Sequence, residues 1–193
     1  RRDDRPAILT ETGAVNDNHT GQFRFYRVDR EGLLLHDFVF APFFAGAAGC
    51  GHSWFWEHYV EPNDLWHHLR PMRDYVDGLQ LDAEDFRPVD LSTDDTWVLG
   101  LVGTEHALFW LRNRADRWDH VLRDNDPAAP VPARALELSS AGIECGRARF
   151  IQTWPHDAVP ADAAELQDGR LELPTFRSGI GLRIRRTAEV TAI

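Results

Sequence analysis

Apolar and polar positions change rhythm several times in the first eighty residues. "PAILTETGA" opens with a short apolar stretch, Ala7–Thr10, that reads as a strand and leads into a loop rich in Gly, Asn and Asp over residues 13–22. "EGLLLHDFVFAPFFAGAAG" carries apolar residues around most of a helical circumference. That pattern predicts a helix buried on several sides, kinked or broken at Pro42. "GHSWFWEH" alternates as a strand would, with His52, Trp54 and Trp56 on one face and Ser53, Phe55 and Glu57 on the other. In "EPNDLWHHLRPMRDYVDGL", Asn63 or Asp64 is placed to cap a helix that stops at Gly78. Strands alternating with helices predict βα units with parallel strands.

Beyond residue 80 the rhythm shortens. A polar stretch, residues 80–93, reads as a linker. "TWVLGLVG" and "HALFWLRN" then flank the turn signal Gly103-Thr104-Glu105, and Asp168-Gly169 is a second such signal ahead of "RLELPTF". With "ARALELSS", "GRARFIQTW" and "GIGLRIRR", these short segments predict a small antiparallel sandwich. "RDNDPAAPVPA" is a loop, and no internal repeat is present.

Composition narrows the picture little. The 193 residues suffice for one large or two small domains, and 43% hydrophobic content excludes wholesale disorder. Every basic residue is arginine, and the net charge of −10 argues against nucleic acid or an anionic membrane as partner. No apolar run approaches the ~20 residues needed to span a bilayer. The opening "RRDDRP" has neither a start methionine nor a signal peptide after it, which points to a processed chain or part of a longer one; the compartment stays open. Cys50 and Cys145 lack metal spacing and can form one disulfide or remain two buried thiols. His52, His58, His67 and His68 contain no HxxxH or HExxH pair, so no metal site and no cofactor are expected.

Two groups carry candidate chemistry. Glu11, after the apolar stretch, can be a carboxylate tuned at the mouth of a sheet, or a loop acid paired with Arg24 or Arg27. Trp54 and Trp56 can stack on the C–H faces of a sugar ring, or pack in a core. His52, on the tryptophan face, is placed to hydrogen-bond a sugar hydroxyl or Glu11.

"ILTETGAVND", followed by "HDFVFAPFFAGAAGCGHSWFWEHYVEPNDLWHHLRPMRDYV", resembles the last two βα units of a (β/α)8 (TIM) barrel of cellulase- and mannanase-like glycoside hydrolases, the family 5-like clan A enzymes that carry a C-terminal β-sandwich. The likeness covers residues 6–78; residues 94–187 resemble such enzymes' tails only loosely. It implies that Glu11 in "TETGA" is the nucleophile, that Trp54 or Trp56 stacks on the sugar, and that Asn16, His52 and Glu57 contact substrate. It also implies that "GAAG" lets the kinked helix pack close to the final strand. The acid/base carboxylate of that family, in an Asn-Glu pair, has no counterpart here.

The expected fold is therefore α/β plus all-β: barrel βα units over 1–79, a linker over 80–93 and a β-sandwich over 94–193. The expected function is the nucleophile-bearing part of a retaining β-glycoside hydrolase acting on oligo- or polysaccharide. Its acid/base Glu would come from an upstream segment or separate chain, here the N-terminal barrel segment of the same enzyme, with a homo-oligomer as the other expected partner. The alternative is a non-catalytic carbohydrate-binding or structural sandwich, in which Trp118 and Trp154 would have to lie exposed.

Overall fold

The computed structural model describes residues 6–187. Its framework is antiparallel. β1 (Arg87–Asp90), β2 (Thr96–Val102) and β3 (His106–Asn113) form a meander. β4 (Arg134–Glu137), β5 (Gly146–Ile151), β6 (Ala164–Leu166), β7 (Arg170–Leu173) and β8 (Gly179–Arg186) complete the strands. Six of them form one sheet in the order β1-β2-β3-β8-β5-β6, and β4 pairs with β7 in a second. Both predicted turns are made. Gly103 N donates to His106 O, and Asp168 and Gly169 take the left-handed conformations a two-residue hairpin turn requires.

Alternation along the strands sorts side chains to two cores, one on each face of the larger sheet. Val98, Phe109, Leu111, Phe150, Ile180, Leu182 and Ile184 pack against Leu136, Leu171, Leu173 and Phe176 of the smaller sheet. This is the sandwich half. Leu101, Leu108, Trp110 and Ile151 point the other way and pack against the N-terminal segment.

That segment contains two helices, α1 (Leu33–Phe44) and α2 (Arg70–Val76). α1 is buried on several sides, as its apolar circumference predicts, and runs through Pro42 without ending. Pro42 has no N–H to offer the carbonyl of Phe38. Gly51 closes on that carbonyl: a Cβ at Gly51 would sit 2.1 Å from Phe38 O. Asp29 organises the start of α1, accepting from the amides of Gly32, Leu33 and Leu34 at 2.9–3.0 Å and from the Tyr59 hydroxyl at 2.5 Å. Burial pushes its carboxyl up, while Tyr59 and the three amides pull it back. α2 follows a 3-10 turn, Leu65–Leu69, and stops before Gly78, whose φ of 72° ends it. Asp64 flanks this turn without a capping side-chain bond, and Asn63 instead bonds Tyr59 O and Arg30.

Beyond the apolar core they share, Arg112 and Tyr75 anchor the helical layer on the sheet. Arg112 of β3, wholly buried, donates to Asp37 of α1 at 2.8 Å, to the Asp116 carboxylate at 2.6 Å and to Ser178 O at 2.9 Å. Tyr75 of α2 donates to Phe109 O at 2.8 Å across the space left by Gly181.

The expected βα units are not formed. Ala7–Thr10 and "GHSWFWEH" belong to no strand. Residues 7–12 and 48–54 are tied only at their ends, Ala48 N donating to Ala7 O and Trp54 N to Thr12 O. From residue 54 onward the chain winds into turns closed by His58 N to Phe55 O and Val60 N to Trp56 O. The burial pattern is not that of a strand: the adjacent residues Tyr59 and Val60 are both buried, and Phe55, half-buried, stands four residues before Tyr59, a helical rather than an extended spacing. Within the stretch expected as a linker, residues 80–93, Arg87–Asp90 is β1, with Pro88 tolerated on an edge strand. Glu84 grips the β2–β3 turn there, accepting from the Glu105 and His106 amides at 3.0 Å.

Candidate functional site

The turns after Gly51 create an open cleft of about 650 Å³ lined by His52, Ser53, Trp54, Trp56, Glu57 and Trp66, with Leu35, Val60 and Leu69 as its apolar floor and wall. Its indoles are unusually accessible: Trp54, Trp56 and Trp66 are 54, 50 and 43% exposed. Trp56 and Trp66 lie 6.1 Å apart at 47°, and Trp66 is held by an indole bond of 2.6 Å to Glu61. An apolar surface of this kind, unpaired in a folded chain, marks a binding region more often than a scattered exposed residue does. Polar groups rim it. Ser53 lines it too, but its Oγ is buried beside the Tyr26 hydroxyl and is not open to a ligand.

Four of the residues expected at the site therefore meet in one cleft: His52, Trp54, Trp56 and Glu57. The strand alternation would have sent Glu57 to the opposite face from His52. Because the segment is turned rather than extended, Glu57 and Ser53 join the tryptophan side. Trp66 was missed; its signal was an indole three residues after Asn63, on a segment read only as a helix.

Glu11 and Asn16 stand outside this lining. Glu11 is exposed and makes no ion pair with Arg24 or Arg27. Its neighbours are nonetheless fixed to the cleft wall. Thr12 Oγ1 accepts from His52 N at 2.9 Å, Thr12 O accepts from Trp54 N at 2.8 Å, and the Tyr26 hydroxyl holds Ala14 by two bonds. Glu11 thus sits one residue from the clamp that carries His52 and Trp54. Asn16 closes its own loop, its Oδ1 accepting from Thr20 N and its backbone bonded to Gly21 and His19.

The sandwich offers no row of exposed indoles. Trp110 and Trp154 are buried, Trp118 packs edge-on against Phe23, and Trp97 lies beneath Arg114. Cys50 is exposed, Cys145 is half-buried, and both are free. No group of three or more His, Cys, Asp or Glu side chains placed to hold a metal occurs among the described residues. No helix among them is long and apolar enough to cross a membrane.

The class of protein these features define is a two-sheet antiparallel sandwich backed by a helical layer that carries an aromatic cleft. No protein-family model matches the chain, and no curated protein or solved structure matches it either.

Proposed function

We propose that the tryptophan cleft binds carbohydrate and that the protein is the nucleophile-bearing part of a retaining β-glycoside hydrolase, Glu11 being the nucleophile. The observation that carries the reading is the cleft itself: three half-exposed indoles beside a polar rim of His52 and Glu57. Indole faces suit the C–H faces of a sugar ring, and the polar rim suits its hydroxyls. In the retaining reaction the Glu11 carboxylate attacks the anomeric carbon as the glycosidic C–O bond breaks, and water then releases the sugar from the glycosyl-enzyme. The leaving oxygen needs a proton from a second carboxylate, which an upstream segment or a separate chain supplies. A second reading, carbohydrate binding without catalysis, is favoured by one fact: Glu11 does not line the cleft.

Two measurements separate the readings. Titrating tryptophan fluorescence with β-linked gluco- and manno-oligosaccharides should give saturable quenching. W54A should weaken it about tenfold, the equivalent of about 1.4 kcal/mol. No quenching by any neutral oligosaccharide rejects both. A dinitrophenyl fluoroglycoside, whose leaving group departs without protonation, should then label Glu11 covalently and leave E11Q unlabelled. Binding without label supports the second reading.

A further inference from the structure

The helix-facing side of the larger sheet carries an unexpected pairing beyond the area α2 covers. On β5 and β8, Arg147 stands directly opposite Arg185, and Arg149 directly opposite Arg183. Alternation puts all four on the face opposite the sandwich core, since Ala148, Phe150, Leu182 and Ile184 point into that core. Opposed residues of an antiparallel pair stand about 5 Å apart, and same-face neighbours along a strand about 7 Å apart. The four side chains therefore form a small grid of positive charge on a chain whose net charge is −10.

Like charges directly opposite one another destabilise a sheet, and the carboxylates of Glu165, beside Arg147, and of Asp77 and Glu84, near Arg183, offset them only in part. Arg147 meets Glu165 of β6 at 3.7 Å, both side chains well exposed, a contact of small worth. Arg183 donates to the backbone of Asp77 at 2.7 Å, and burial together with the facing Arg149 pushes its pKa down. Along the row beyond Arg185, His106 is already tied to Glu84 at 2.5 Å. Arg149 and Arg185 make no side-chain hydrogen bond or ion pair among the described residues.

We propose that this arginine grid is a binding surface for an acidic polysaccharide, whose carboxylate or sulfate groups seat on the cross-strand guanidinium pairs. The planar guanidinium fork matches such groups in a way an ammonium does not. Four charges in a two-by-two array on one sheet face suit a chain bearing about one charge per sugar. The densely charged backbone of nucleic acid would also meet the remaining negative surface of the protein. None of the four arginines lines the tryptophan cleft, so the proposal does not depend on the role of Glu11.

Calorimetric titration with polygalacturonate oligosaccharides, against neutral cello-oligosaccharides of equal length, tests it. The acidic ligand should bind more tightly. By analogy with flexible polyanions, four contacts should cost it about 50-fold in affinity between about 50 and 200 mM salt. R147Q/R185Q should reduce that affinity at least about tenfold without lowering Tm, because a repulsive pair has been removed. If the double variant does not fold, R149Q alone, whose side chain has no partner to lose, should still weaken binding. W54A should leave the salt-dependent component intact. Equal binding of acidic and neutral ligands, unchanged binding by the arginine variants, or equally tight binding of a single-stranded DNA of matching length would each overturn the proposal.

Discussion

Gly181→Ala is the most direct test of how the helical layer is seated on the sheet. A Cβ at this position would lie 1.9 Å from the Tyr75 hydroxyl oxygen, 2.5 Å from its Cζ and 3.1 Å from Ile151 Cβ. Tyr75 is fully buried and cannot swing into solvent, so it must move away from the sheet. Overpacking of this kind costs about 1–3 kcal/mol. The displaced hydroxyl also abandons Phe109 O, and leaving buried polar groups unpaired costs about 1–3 kcal/mol more. Together these give about 2–6 kcal/mol, or a fall in Tm of roughly 4–24 °C for a chain of this size. Urea unfolding of the wild type, G181A, Y75A and Y75A/G181A completes a double-mutant cycle. Once Tyr75 is absent the methyl group has room, so G181A should then cost less than about 1 kcal/mol. A G181A variant within about 1 kcal/mol of wild type, or equal costs in both backgrounds, would refute this account of docking.

Other outcomes follow from the same contacts. R112A should destabilise by about 3–5 kcal/mol, because Asp37 and Asp116 lose their buried counter-ion; replacing all three residues by apolar ones of similar volume should recover most of that in chemical denaturation. Burial holds His68 neutral and lowers its pKa to about 4, with its ring bonded to Glu31 O. The unfolded chain takes up that proton first, so stability is full above about pH 6.5 and is lost as pH falls toward 4, by about 3 kcal/mol for this group. H68Q should therefore lower proton uptake on unfolding near pH 5 by about one, read from the pH dependence of the urea midpoint; an unchanged slope would contradict it. His36, buried and likewise lowered, sustains the remaining slope.

The antiparallel half was legible because its determinants are local. Alternating residues in "TWVLGLVG" and "HALFWLRN", with a turn signal between them, define a hairpin whose register the turn fixes. The left-handed pair Asp168-Gly169 and the stop at Gly78 are legible for the same reason. The uniform apolar circumference of Leu33–Phe44 predicts burial on several sides, and α1 lies between the sheet and the turns that carry Tyr59. The close approach to this helix is made by Gly51 and not by "GAAG", where a Cβ at Gly49 would meet nothing within 4 Å.

The period of two in "GHSWFWEH" misled, because extended and turned backbones can both expose Trp54 and Trp56 while hiding what lies between and beyond them. Tertiary contacts decided between the two. Tyr59 reaches Asp29 and the amide of Leu35, which pulls residues 54–60 into turns and brings Glu57 and Trp66 to the tryptophan side. The same dependence on distant partners hid β1, whose residues look like a polar linker until residues 99–102 of β2 lie beside them. Residue types for an aromatic cleft with polar neighbours were written in the sequence. Their meeting in one place was not, since it rests on bonds between residues some 30 to 40 positions apart, such as Tyr59 to Asp29 and His52 to Thr12.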